Sequence, residues 1–137
     1  MALEKIKVRA TILAEKQKVW NYYTQPEHIT QWNFADSSWH CPQASNNMSL
    51  GGSYVARMEA KDGSYGFDFE AVYTEINAYD DFTYQFGGRY ATIEFQYSNG
   101  ETELIITFDP ETENSLDLQR AGWQAILNNF KNYCETH

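Results

Sequence analysis

The chain has 137 residues and an acidic composition, with 19 Asp and Glu against 10 Lys and Arg and a formal net charge of −9. This balance argues against binding to nucleic acid or insertion at an anionic membrane surface, because both depend on clustered Lys and Arg. The length predicts one domain, residues 1–137, with its own hydrophobic core. Aromatic residues make up 16% of the chain, a content suited to a core or to the walls of a small-molecule pocket.

The N-terminal segment predicts a first strand over residues 3–13, with Ile6, Val8 and Ile12 on one face. Its polar alternation does not fit a secretory signal, and no apolar run reaches membrane-spanning length. Cys41 and Cys134 match neither a disulfide framework nor a metal-binding spacing. These features favour a reduced, cytoplasmic protein without a metal site or cofactor.

The next segment changes to a helical period. Its apolar residues recur at helical spacing: Val19, Trp20 and Tyr23. Pro26 is placed either to end this helix or to begin a second one, which closes near Trp32. A polar, loop-like stretch follows from Asn33 to Asn47, and within it residues 38–41 predict a short strand that includes Trp39 and His40.

The centre of the chain predicts a hairpin around Asp62-Gly63, a sequence typical of a type I′ turn. Centring the hairpin on this dipeptide gives three apolar pairs: Met58 with Phe67, Ala56 with Phe69, and Tyr54 with Ala71. All six residues then share one face, while Arg57 lies opposite Asp68 on the other. Because a slip of one residue would scramble this pattern, the register is well specified.

A second hairpin is predicted around Asn99-Gly100 by the same argument. It also gives three apolar pairs on one face: Phe95 with Leu104, Ile93 with Ile106, and Ala91 with Phe108. Between the two hairpins lies a further strand whose inward residues are Phe82, Tyr84 and Phe86. Gly87-Gly88 follows this strand and predicts a tight turn.

From Ser115 the helical period returns and predicts a C-terminal helix of about 20 residues, spanning roughly 30 Å. Gln119 is predicted to lie on its polar side. The predicted apolar stripe comprises Leu116, Ala121, Trp123, Ile126, Leu127, Phe130, Tyr133 and Cys134.

Several segments carry a family resemblance in their order and spacing. They are the Val-Trp of EKQKVWNYYT, the Thr-x-Pro-Glu that precedes Trp32, Gly51-Gly52-Ser53-Tyr54, and Gly122-Trp123. The β–α–α–β(n)–α order resembles the helix-grip fold of the START and birch-pollen-allergen superfamily, also called SRPBCC. Within it, the segments resemble the homologues of the activator of the heat-shock-protein-ninety ATPase.

The resemblance implies an α+β helix-grip domain, with a curved antiparallel sheet wrapped around a long C-terminal helix and two short helices after the first strand. It also implies an apolar cavity under that helix. We expect the cavity walls, and hence the ligand-binding residues, to be Trp32, Trp39, Tyr54, Met58, Phe67, Phe69, Tyr84, Phe86, Phe95, Trp123, Leu127 and Phe130.

Three functions remain open at this stage. The first is binding of a hydrophobic or aromatic small molecule, such as a lipid or a polyketide-like compound. The second is a chaperone-associated interaction module. The third is a cyclase- or hydrolase-type enzyme that uses His40 or Tyr84. The common catalytic motifs are missing and no inward acid–base pair is found, which favours a binding protein over an enzyme. Ligand identity and oligomeric state are not specified by the sequence.

Overall fold

The fold is built on one curled antiparallel sheet, described with its helices by a computed structural model over residues 4–137. Within these residues seven strands follow the spatial order β1-β7-β6-β5-β4-β3-β2. The strands are β1 (Ile6–Ile12), β2 (Trp39–Asn46), β3 (Ser53–Ala60), β4 (Gly66–Asn77), β5 (Asp81–Phe86), β6 (Arg89–Ser98) and β7 (Glu101–Phe108). The helices are α1 (Lys16–Thr24), α2 (Pro26–Trp32) and α3 (Leu116–Thr136). This is the predicted α+β helix-grip arrangement. Of the first predicted strand, Leu3 lies outside the described residues.

The register of the second hairpin is confirmed pair by pair, from Phe95 opposite Leu104 to Ala91 opposite Phe108. Its turn is the predicted type, because Asn99 and Gly100 both have positive φ, at 53° and 82°. Gly87 and Gly88 likewise both have positive φ in the turn between β5 and β6.

The register of the first hairpin is also confirmed, with Met58 opposite Phe67 and Arg57 opposite Asp68. The predicted turn type is wrong. Asp62 does not adopt a positive φ, and the Gly63 N–H donates to the Ala60 carbonyl at 3.0 Å. The loop therefore spans four residues, Lys61 to Ser64. A loop lengthened by one residue on each side leaves the pairing unchanged, which explains why the register prediction succeeded.

Strand β2 is longer than the strand predicted over residues 38–41. It pairs with β3 along Trp39–Asn46, although the register shifts between His40 and Gln43. Pro42 lies within this shift and has no N–H to donate to a ladder. Pairing with β3 thus gives extended structure to a stretch whose composition is typical of a loop.

The helix boundaries follow from local sequence. Pro26 occupies the first turn of α2, where a missing N–H costs nothing. Ser115 caps α3 by accepting a hydrogen bond from the Leu118 N–H at 3.1 Å. Cys41 and Cys134 are both buried free thiols. None of the helices within residues 4–137 has the length and apolar composition needed to cross a membrane.

The first turns of α3 differ from the predicted stripe. Leu116 and Ala121 are exposed, whereas Gln119 is buried. The Gln119 side chain accepts a hydrogen bond from the Glu111 N–H at 2.8 Å and donates to the carbonyls of Glu111 and Asn114. An amide that satisfies three backbone groups of the preceding loop is stable in a buried position, which hydropathy alone does not predict.

Aromatic side chains pack together where the short helices meet the sheet. Trp20 of α1 packs on Phe82 and Phe95, with ring centroids 5.6 and 5.0 Å apart. Phe130 of α3 packs edge-on against Trp32 and Tyr23, at 4.9 and 5.1 Å. These aromatic contacts fill one end of the space between sheet and α3.

Candidate ligand-binding cavity

The other end of that space is a cavity of about 310 Å³. Residues from the concave sides of β3, β4 and β5 form its floor, and α3 with parts of α1 and α2 covers it. This volume lies at the lower end of the roughly 300–1,000 Å³ typical of small-molecule sites. A more open groove of about 600 Å³ runs along β2 past Pro42 and Arg57. Its walls mix polar and apolar side chains and are more open to solvent, so this groove is less suited to an apolar guest.

Most of the side chains that the sequence assigns to the walls line the cavity. They are Trp32, Tyr54, Met58, Phe67, Phe69, Tyr84, Phe86 and Trp123. Six of them lie on the predicted inward faces of the sheet: Tyr54, Met58, Phe67 and Phe69 in the first hairpin, and Tyr84 and Phe86 in β5. Trp123 stacks on Phe108, with centroids 3.9 Å apart and planes inclined by 12°, so the helix side of the wall is firmly held.

The remaining predicted wall residues, Trp39, Phe95, Leu127 and Phe130, do not line the cavity. Trp39 instead packs with Tyr65 and Phe67 beside the tip of the β3–β4 hairpin. Phe95 and Phe130 pack against Trp20 and Tyr23 of α1 in the filled end of the core. Leu127 is fully buried in the core. Strand and helix periods predict which face is inward, but not where along that face a neighbouring helix fills the gap.

The cavity also includes residues that the sequence analysis did not select: Tyr23, Thr24, Asn33, Tyr73, Phe82, Arg89 and Ile126. Phe82 and Ile126 were already placed on inward faces. Tyr73 continues the alternation of Phe67, Phe69 and Ala71 along β4, so the same signal would have found it. The polar residues have no comparable signal, because their position depends on how α1, α2 and the sheet meet.

Four tyrosines bring hydroxyl groups into this apolar site. The Tyr73 hydroxyl donates to Asn46 Oδ1 at 2.6 Å, and the Tyr54 hydroxyl accepts from Asn33 Nδ2 at 3.3 Å. The Tyr84 ring lies 6.0 Å from that of Tyr54 and 6.1 Å from that of Tyr73. Burial, reinforced by the neighbouring phenols, raises the pKa of Tyr54 and Tyr84 well above the usual value. These phenols are therefore neutral donors at physiological pH.

Two of the four hydroxyls are available to a guest. Among the described residues, no hydrogen bond joins the hydroxyl of Tyr23 or Tyr84 to a partner, neither oxygen is fully buried, and both residues line the cavity. Burial also raises the pKa of Tyr23. A guest that carries a carbonyl or another acceptor has two neutral donors to meet.

Arg89 is the single charged side chain in the wall formed by the described residues. It begins β6 directly after the exposed Gly87-Gly88 turn, and we call this the solvent end of the cavity. Its guanidinium carbon lies 4.6 Å from the centre of the Phe86 ring.

The two internal histidines lie elsewhere. His28 Nδ1 is 2.7 Å from the Tyr133 hydroxyl, and its ring stacks on Tyr22. His40 lies partly exposed, with Nε2 3.6 Å from a Glu59 carboxylate oxygen. Of the two residues considered for a cyclase- or hydrolase-type enzyme, only Tyr84 lines the cavity.

Comparisons with known proteins agree with this architecture. Residues 14–135 match the family model described as "Activator of Hsp90 ATPase homolog 1-like protein". None of the curated proteins compared with the chain matches it.

Solved structures give the same picture. An AHSA1-like protein from Aeromonas hydrophila, solved by NMR, is 38% identical with a TM-score of 0.92, over 97% of this chain and 93% of that chain. Chr148 from Cytophaga hutchinsonii is 44% identical with a TM-score of 0.84, over 96% of this chain and 92% of that chain. NE0264 from Nitrosomonas europaea is 15% identical with a TM-score of 0.82, over 96% and 94% of the two chains, and shows a likeness of fold alone.

Proposed function

Because the chain belongs to the family of Activator of Hsp90 ATPase homolog 1-like proteins, whose fold is a ligand-binding scaffold of the SRPBCC type, we propose that it binds a hydrophobic or aromatic small molecule. The proposed site is the cavity beneath α3. The observation that carries the proposal is an aromatic-walled space of about 310 Å³ lined by Tyr23 and Tyr84, whose hydroxyls have no hydrogen-bond partner among residues 4–137.

The chemistry of the wall supports a guest of limited size. Apolar surface contributes about 25 cal/mol for each Å² removed from water, so a guest that buries about 250 Å² gains about 6 kcal/mol before the cost of association. A volume of about 310 Å³ suits a polyketide-like molecule of two or three rings or a single alkyl chain. A two-chain lipid exceeds a volume of about 310 Å³.

The proposal is tested with the neutral fluorescent probe N-phenyl-1-naphthylamine. We expect micromolar binding to the wild-type protein, and affinity at least about tenfold weaker for Ile126→Trp, because the indole occupies cavity volume. Fluorescence titration measures both affinities, and mass spectrometry of a solvent extract tests for a co-purified apolar molecule.

The matched control is Leu118→Trp, which adds the same side chain at a position of α3 that is 60% exposed. This variant should bind the probe like the wild type. Cooperative thermal unfolding of Ile126→Trp establishes that it is folded. Equal affinity of Ile126→Trp and the wild type, or no binding by the wild type, would contradict the proposal.

A second candidate, a chaperone-associated interaction module, is favoured by one surface feature. Tyr65 and Phe67 are 62% and 41% exposed and pack with Trp39 into an aromatic cluster beside the β3–β4 hairpin tip. Exposed aromatic groups of this kind are enriched at protein interfaces. The net charge of −9 is suited to a basic surface on the partner.

This candidate predicts that purified Hsp90 is retained by the immobilised wild-type protein and that Tyr65→Ser removes most of the retention. Tyr97→Ser changes another exposed tyrosine, on β6, and should retain the chaperone as the wild type does. A pull-down at low and moderate salt makes the comparison. Absence of retention in both buffers removes this candidate and leaves the small-molecule proposal untouched.

A further inference from the structure

We propose that the guest carries a negatively charged group, such as a carboxylate or a sulfonate, which Arg89 binds at the solvent end of the cavity. This inference rests on the proposed small-molecule function and specifies its ligand class. The apolar body of such a guest lies among the aromatic side chains, and its charged group faces the exposed Gly87-Gly88 turn.

The first argument is the shortage of protein partners for Arg89. Its Nη1 donates to the Asp109 main-chain carbonyl at 3.3 Å. No carboxylate among residues 4–137 forms an ion pair with it within 4.0 Å. A guanidinium has five N–H donors, so most of them remain for a guest. An anionic group attached to an apolar molecule matches both the half-buried guanidinium and the apolar cavity beside it. The ion pair is strengthened because water is partly excluded there.

The nearby carboxylate of Asp109 is already engaged. One of its oxygens pairs with Lys5, and the other accepts the Tyr90 N–H at 2.9 Å. These contacts lower the pKa of Asp109, and the charge of Arg89 lowers it by a smaller amount. Asp109 therefore stays ionised and held by Lys5 and β6, and it does not cap the guanidinium.

The second argument is that Arg89 is held in place before a guest arrives. Its guanidinium lies over the Phe86 ring, and Phe86 packs in turn against Phe69 and Trp123, with centroids 5.3 and 5.9 Å away. All four residues line the cavity. A guanidinium stacked on a ring keeps the N–H donors of its edge free, which is the geometry that binds carboxylate or sulfonate oxygens.

Two fluorescent probes isolate the charge. 1-Anilinonaphthalene-8-sulfonate and N-phenyl-1-naphthylamine share one aromatic skeleton and differ by the sulfonate. We expect Arg89→Gln to weaken binding of the sulfonate probe about tenfold, the loss expected when a charge-assisted hydrogen bond is removed. Binding of the neutral probe should stay within about twofold, which also shows that the variant is folded. Arg89→Lys keeps the charge and should recover part of the lost affinity.

The matched control is Arg120→Gln, which removes the same charge from the exposed side of α3. It should bind both probes like the wild type. Ile126→Trp should weaken both, which places the two probes in the same cavity. If Arg89→Gln leaves the sulfonate affinity unchanged, or weakens both probes equally, the inference is overturned while the small-molecule proposal stands. If the wild type binds neither probe, the proposed function fails and the inference falls with it.

Discussion

Replacing Phe130 with alanine is expected to lower the free energy of unfolding by about 3–5 kcal/mol. Phe130 is fully buried in α3 and packs edge-on against Trp32 and Tyr23, so it joins all three helices. Truncation removes buried apolar area and leaves a cavity that the rigid neighbours fill only partly. Urea denaturation followed by tryptophan fluorescence measures the change.

Leu118→Ala is the control for this experiment, because it truncates an apolar residue of the same helix where the side chain is 60% exposed. Its effect should stay within about 0.5 kcal/mol. A loss below about 1 kcal/mol for Phe130→Ala would show that the contact between α3 and the short helices is not a main source of stability.

Gly52→Ala is expected to destabilise the protein by about 2 kcal/mol or more. A Cβ atom at this position would lie 2.2 Å from the Asn47 carbonyl oxygen and 2.9 Å from that of Ser49. Both obstacles are backbone atoms of the turn between β2 and β3. These two contacts can be avoided only if the backbone at Gly52 shifts, and the Gly52 carbonyl accepts the Tyr73 N–H at 3.0 Å. Thermal denaturation measures the loss, and weaker binding of N-phenyl-1-naphthylamine would report the displacement of Tyr73.

Gly122→Ala supplies the matched comparison. Gly122 lies within α3, and an added Cβ would meet nothing within 4 Å. Alanine should raise stability by up to about 1 kcal/mol, because glycine is a poor helix former. If both variants change stability by the same amount and in the same direction, the close approach of the β2–β3 turn is not the reason for glycine at position 52.

Much of the fold is predictable from local patterns. Each hairpin register follows from a turn dipeptide with alternating residues on both sides, and the Asp62-Gly63 hairpin keeps its register even though its turn is longer. The N-terminal ends of α2 and α3 follow from Pro26 and Ser115. Local patterns do not predict structure that depends on tertiary contacts. The extended form of β2 depends on pairing with β3. Gln119 is stable in a buried position because it is hydrogen-bonded to the preceding loop.

The site is predictable only in part. Alternation selects Tyr54, Phe69 and Tyr84 as inward, and all three line the cavity. It also selects Phe95, which lies on the same concave face but beneath Trp20 of α1. The boundary between filled core and open cavity thus depends on where α1 lies on the sheet. Arg89 has no sequence signal for the cavity, because nothing in its neighbours along the chain indicates the aromatic wall beside it.

The irregular pairing of β2 also bears on how the protein behaves at high concentration. β2 forms one edge of the sheet, and an exposed edge with regularly spaced amide groups is a template for strands of other molecules. Pro42 has no N–H to donate, and the shift between His40 and Gln43 interrupts the regular geometry of this edge strand. The β2 edge is therefore a poorer template for the addition of further strands than a regular edge would be.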